Sequence, residues 1–187
     1  MKVAVIDMGT NTFHLMIVET QVEDFRVIHR EKVAVKIGEK GINQGYITEA
    51  AQRRALECLD RFKATIDFQK VEHIYATATS AIRNAANGRD LIAEIAKETG
   101  IEARIISWLE EAQLIYFGVK QAMNIGKQPS LVMDIGGGSI EFILCTQEEV
   151  FWKQSFEIGC HRLMERFHTE DPISVQSIER LKEFLDT

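Results

Sequence analysis

Short β-rich blocks open the chain. Residues 2–7 are β-rich, with an apolar run at 3–6 that Asp7 ends. Residues 12–20 and 25–37 carry β-branched and apolar side chains, and a tight turn at 8–11 separates the first two blocks. Three strands are predicted. Gly38, Gly41 and Gly45 then mark a loop. After Thr48, a candidate N-cap, the period changes. Leu56, Leu59, Phe62 and Ile66 recur at helical spacing and predict a helix to about residue 68. The pattern continues with a strand at 73–77, helices at 80–86 and 90–99 (the second stopped by Gly100), a strand at 103–107 and a helix at 109–123. A break at 126–130 precedes strands at 131–134, 140–146 and 150–157 and helices at 161–167 and 175–185. Strands first, then helices alternating with strands, argue for an α/β fold. Apolar runs reach only four or five residues, far short of the ~18 that a membrane-spanning helix needs. Asp7 interrupts the first run too early for a signal peptide.

The pattern also repeats. Val5-Ile6-Asp7-Met8-Gly9-Thr10-Asn11-Thr12-Phe13 resembles Val132-Met133-Asp134-Ile135-Gly136-Gly137-Gly138-Ser139-Ile140 at a constant offset of 127 (134 − 7). His14-Leu15-Met16-Ile17 and Glu141-Phe142-Ile143-Leu144 extend the match. Each copy is an apolar strand, an acid, a small-residue turn and a second strand, so two related units in tandem are expected. Residues 1–124 form the first and 129–187 the opening part of the second.

Composition narrows the functional classes. With 22 basic and 28 acidic residues the net charge is −6, which disfavours general binding to nucleic acid or anionic membranes. An anionic small substrate is still open, because a site can be locally cationic or use a metal. Cys58, Cys145 and Cys160 are odd in number and widely spaced, consistent with a reduced, cytoplasmic compartment.

The repeated turns carry the candidate chemistry. A run of small residues exposes successive backbone N–H groups, and such a concavity binds anions. Gly136, Gly137, Gly138 and Ser139 fit a phosphate cradle, and Thr10 and Asn11 offer donors from the matching turn. The alternative is a plain hairpin turn. There is no Rossmann fingerprint and no P-loop. A phosphate chain needs charge compensation, commonly Mg²⁺ on a few carboxylates. Asp134 and Glu141 are candidate ligands, with Asp7 their counterpart in the first unit. Turn stabilisation is the alternative for the two aspartates, and a solvated strand position for Glu141. Glu110 and Glu111 open a helix, where acids also occur for dipole reasons. One of them could act as base on a hydrolytic water. Arg83, at the start of another helix, suits multidentate phosphate contact or a plain surface position.

Taken together, Asp7 to His14, Ala78 to Ala85, Glu110-Glu111-Ala112, Asp134 to Glu141 and Gly159-Cys160-His161-Arg162-Leu163 resemble the exopolyphosphatase/guanosine pentaphosphate phosphohydrolase family, within the actin-like ATPase superfamily. The resemblance covers essentially the whole chain. It implies two tandem ribonuclease-H-like domains with mixed sheets, the second incomplete here, and an active site in the cleft between them. It also implies Mg²⁺-dependent release of terminal phosphate from polyphosphate or guanosine pentaphosphate. Glu111 would be the base. Asp134, Glu141 and Asp7 would serve the metal. Thr10, Asn11, Arg83, Gly136, Gly137, Gly138 and Ser139 would hold phosphates, with Cys160 lining the cleft or acting as a small apolar residue. No nucleic-acid or membrane partner is implied, and a homodimer is the candidate assembly. Three departures stand out: Trp108 after Ser107, Gln113 in place of the usual Arg, and Ile140 between Ser139 and Glu141. An actin-like ATP-binding kinase or ATPase and a non-catalytic nucleotide sensor share the same phosphate loops and are the competing classes. Trp108 and the Phe151-Trp152 pair read as core or interface aromatics.

Overall fold

A computed structural model of the chain describes residues 1–21 and 24–186. It divides into two compact units, Met1–Glu111 and Ala112–Thr187. The division falls inside a helix, ahead of the break at 126–130 that the sequence offers.

In the first unit, β1 (Lys2–Met8), β2 (Phe13–Thr20) and β3 (Phe25–Val33) form an antiparallel meander. Next to β1 lie β4 (His73–Ala78) and β5 (Ala103–Ile105), both parallel to it, giving the order β3-β2-β1-β4-β5. This is the mixed sheet that the family resemblance implies. Strict alternation puts Ala4, Ile6 and Met8 of β1, with Phe13, Leu15 and Ile17 of β2, on one buried face. Two helices contribute to the same core: α1 (Glu49–Phe68) through Ala55, Leu59, Phe62 and Ile66, and α3 (Gly88–Thr99) through Leu91 and Ile95. The Thr48 hydroxyl accepts from the N–H of Ala51, the N-cap bond expected of it. Burial pushes the Cys58 thiol up to about 11, so it remains a neutral core residue.

Three predicted elements are shorter than expected. The third strand leaves the sheet after Val33, because Val35 and Ile37 turn into the core and the N–H of Lys36 donates to the carbonyl of Asn11. Helix 80–86 ends at Asn84 as α2 (Ser80–Asn84), and strand 103–107 ends at Ile105. The loop at Gly38–Gly45 contains one 3-10 turn (Ile42–Gln44), closed by Gly45 at a φ of +66°.

In the second unit, β6 (Ser130–Ile135), β7 (Ile140–Cys145) and β8 (Val150–Phe156) form an antiparallel sheet. Helix α4 (Trp108–Ala122) packs Ala112 and Tyr116 against Ile143 and Cys145, and the Tyr116 hydroxyl donates to the carbonyl of Thr146. Helices α5 (Cys160–Phe167) and α6 (Val175–Leu185) pack on each other, with Phe167 against Phe184. The opposite sheet face carries Leu131, Met133 and Ile135, each more than half exposed. Their counterparts 127 positions earlier are the buried Ala4, Ile6 and Met8. Phe151 and Trp152 are also about half exposed and so are not core aromatics. Among the described residues no helix is long and apolar enough to cross a membrane.

Phe62 is completely enclosed between α1 and the first sheet. Phe62→Ala is expected to destabilise the first unit by about 3–5 kcal/mol, read as a lowered midpoint in urea denaturation followed by circular dichroism.

Candidate functional site

The repeat is geometric as well as sequential. The N–H of Gly9 donates to the carbonyl of Thr12 at 3.1 Å, and the N–H of Gly136 donates to the carbonyl of Ser139 at 3.0 Å. A Cβ on Gly9 would lie 3.0 Å from the Thr12 oxygen, and one on Gly136 3.0 Å from the Ser139 oxygen. Both positions therefore need glycine for close approach. None of Gly136, Gly137 and Gly138 has a positive φ, so the left-handed freedom of glycine is not what the loop uses.

The segment after each third strand captures the carbonyls of the turn. In the first unit, Lys36 donates to Asn11 at 2.8 Å and Gly38 to Thr10 at 3.2 Å. In the second, Gly159 donates to Gly138 at 3.2 Å, Cys160 to Gly136 at 3.0 Å and His161 to Gly137 at 2.9 Å. The Arg162 guanidinium adds an Nε–H bond to the Gly138 carbonyl at 2.9 Å and pairs with Glu157. Carbonyls that would repel an anion are thereby occupied. Among the described residues, the N–H groups of Gly137, Gly138 and Ser139 make no hydrogen bond. They are the donors a phosphate cradle requires. Ser139 and Thr10 are buried, Asn11 is exposed, and Cys160 is an exposed free thiol.

Adjacent acids at the start of α4 have different partners. Glu110 accepts two hydrogen bonds from the exposed Arg104, at 2.8 and 2.5 Å, and this bond holds its carboxyl below the usual range. Glu111 is largely buried and accepts from Arg83 Nη1 at 2.7 Å, while the same nitrogen donates to the Ile106 carbonyl. Arg83 therefore orients Glu111 in this structure. Arg83 and Arg89 both line a cavity of about 420 Å³ in the first unit, with Ile106 and Ser107. Asp7 lines another, of about 540 Å³, with His14, Arg30 and Lys32.

In the second unit the register places Asp134 opposite Glu141, and Glu141 opposite Ser155. All three lie on one face of the sheet. Glu141 is not the solvated strand residue considered above: it is 1% exposed, and its Oε1 accepts from the Ser155 hydroxyl at 2.7 Å. Asp134 is open to solvent on one side, and partial burial of its carboxyl raises its pKa above the ordinary 3.8. Two cross-strand carboxylates, with Cβ atoms about 4.5–5.5 Å apart in such a pair, are hard oxygen donors. They fit Mg²⁺, which keeps waters and phosphate oxygens as its remaining ligands. No group of three or more His, Cys, Asp or Glu suited to a metal occurs among the described residues. Lys153, two register steps from Ser155, donates to Gln113 at 3.0 Å, so a cation stands beside the position where the family pattern has Arg.

Four contributors carried no role in the sequence reading: Gly159, Arg162, Ser155 and Lys153. The first two lie in the quoted Gly159-Cys160-His161-Arg162-Leu163 motif, which was a usable signal. The other two are ordinary strand residues until the register is known.

Comparison with known proteins agrees with this architecture. The sequence matches Ppx-GppA, the Ppx/GppA phosphatase family, over residues 16–187. The chain belongs to that family. It is 28% identical over 187 residues to exopolyphosphatase 1 of Mycobacterium tuberculosis, covering all of this chain and 54% of that protein. The crystal structure of an exopolyphosphatase from Cytophaga hutchinsonii superimposes with a TM-score of 0.95 at 45% identity, covering 100% of this chain and 60% of that one. The Aquifex aeolicus PPX-GPPA enzyme gives 0.77 at 30% identity, covering 99% of this chain and 62% of that one. This chain thus spans little more than half the length of these relatives. At 15% identity and a TM-score of 0.52, the ethanolamine utilization protein EutJ from Carboxydothermus hydrogenoformans shares the actin-like fold alone.

A Cβ on Gly159 would lie 2.4 Å from the backbone of Gly137 and Gly138, whereas one on Gly118 meets nothing within 4 Å. Gly159→Ala is expected to destabilise the second unit by about 1–3 kcal/mol. Gly118→Ala, inside α4, is expected to stabilise it by about 0.5–1 kcal/mol. Paired guanidinium denaturation curves check both signs.

Proposed function

We propose that this protein releases the terminal phosphate of inorganic polyphosphate by hydrolysis. One observation carries the reading. In both units the turn after the first strand has its carbonyls captured, and in the second the N–H groups of Gly137, Gly138 and Ser139 stand free beside Asp134. That arrangement suits a polyanion whose charge is offset by backbone dipoles and a cation.

Glu111 is the proposed base. Its carboxylate takes a proton from a water whose oxygen forms a bond to the terminal phosphorus. The bond from that phosphorus to the bridging oxygen breaks, and the electron pair leaves with the shortened chain. Arg83 keeps Glu111 oriented through the 2.7 Å ion pair. Thr10, Asn11 and the Gly136 to Ser139 turn hold phosphate oxygens. Asp134 and Glu141 would hold Mg²⁺, with Asp7 as a further acid. The ion, when bound, supplies charge neutralisation for the phosphate oxygens. Guanosine pentaphosphate presents the same terminal group and falls within the scope of the family's name.

The test offers polyphosphate, guanosine pentaphosphate and ATP in parallel to the purified protein with Mg²⁺. Phosphate release from polyphosphate is expected, and it should stop on chelation. Glu111→Gln should lower the rate by about 10²–10⁴-fold, the usual contribution of a general base. A Glu111→Gln variant that matches wild type would sink the assignment of the base. Release from ATP alone would place the protein with the actin-like ATP-binding kinases and ATPases instead.

A further inference from the structure

Glu141 is an awkward residue for a strand interior. A carboxylate that is 1% exposed has lost its water and needs donors or a cation in exchange. On its own sheet it faces a second carboxyl group and a hydroxyl donor. Asp134 stands opposite on β6, and Ser155 stands opposite on β8, with its hydroxyl 2.7 Å from Oε1. Lys153, two register steps along β8, is hydrogen-bonded to Gln113. The row Asp134–Glu141–Ser155 therefore reads acid, acid, hydroxyl across three strands.

Resting on the phosphatase reading above, we propose that Ser155 is a positioning residue for the carboxylate pair. Its O–H pins one oxygen of Glu141, so that the side chain is held in one rotamer with Asp134 beside it, and the two present preformed oxygen ligands to a divalent cation. A glutamate side chain with three free torsions would otherwise have to be ordered when the ion binds. Ser155 touches neither ion nor substrate. It acts through Glu141, as hydrogen-bonding partners of metal ligands commonly do. Alanine at 155 would leave Oε1 of Glu141 without this donor.

The experiment uses the whole protein with Mn²⁺ as probe, read by electron paramagnetic resonance in the absence of substrate. Ser155→Ala is expected to weaken Mn²⁺ binding by about 10–100-fold. Ser155→Thr, which keeps the hydroxyl and suits a strand, should restore it. In a Glu141→Gln background, adding Ser155→Ala should change Mn²⁺ affinity no further. With metal saturating, the KM for polyphosphate should be the same in wild type and Ser155→Ala. Unchanged Mn²⁺ affinity in Ser155→Ala overturns the inference. So does a loss that Ser155→Thr fails to restore, or one that adds fully to the effect of Glu141→Gln. A wild-type protein that binds Mn²⁺ under Ser155 control yet releases no phosphate would defeat the phosphatase reading and leave this one standing. Active wild type with an indifferent Ser155 does the reverse.

Discussion

A backbone turn can lend its N–H groups to an anion only after its carbonyls have been placed elsewhere. Carbonyl oxygens carry partial negative charge, and three of them beside a phosphate would cancel the attraction of the amides. In this chain the problem is solved twice by one device. The segment after the third strand returns to the first turn and donates its own N–H groups to the turn's carbonyls, Lys36 and Gly38 in the first unit and Gly159, Cys160 and His161 in the second. That return dictates much else. It requires the third strand to stop early, at Val33 rather than Ile37. It demands glycine at 159, where the two backbones touch. It also fixes why α5 starts at Cys160: the first N–H groups of that helix are satisfied by the turn instead of by a side-chain cap.

The same strand motif is buried on opposite faces in the two units. Ala4, Ile6 and Met8 lie under α1 and α3, whereas their equivalents Leu131, Met133 and Ile135 are exposed. In the second unit α4 packs instead on the face that bears Ile143 and Cys145. Strand pattern alone does not choose between these outcomes. Both faces of β7 carry apolar side chains, with Ile140, Phe142 and Leu144 on one side and Ile143 and Cys145, beside Glu141, on the other. The choice is made by which helix arrives, a tertiary fact.

This explains what the sequence could and could not reveal. The strands, the stripe of α1, the Thr48 cap and the offset of 127 were legible, because each depends on local periodicity or local hydrogen bonding. The acids and turns of the candidate site were legible for the same reason, being part of the repeat. Partnerships were not. Nothing local distinguishes Glu110 from Glu111, yet one is held by an exposed Arg104 and the other by a largely buried Arg83. Ser155 and Lys153 acquire meaning only from the β7–β8 register, which a one-residue slip would reverse. Arg162 was visible as part of a motif, but its bond to the Gly138 carbonyl required the loop to fold back.

The repeat has also diverged where it matters chemically. Asp7 and Asp134 occupy equivalent positions, but the residue opposite differs: His14 in the first unit, Glu141 in the second. Around Asp7 the cavity is lined by His14, Arg30 and Lys32, so nitrogen-bearing side chains already surround that acid. Around Asp134 the cross-strand neighbour is another acid, buried, with a single hydroxyl donor. Coulomb repulsion between two carboxylates at cross-strand distance is costly in a partly desolvated place. It is relieved by a proton or by a cation, and the raised pKa of Asp134 has burial as its cause. A duplicated strand–turn–strand has thus become two different electrostatic environments. The first unit carries its own compensating cations. The second sets two carboxyl groups side by side, next to a turn in which the N–H groups of Gly137, Gly138 and Ser139 make no hydrogen bond among the described residues.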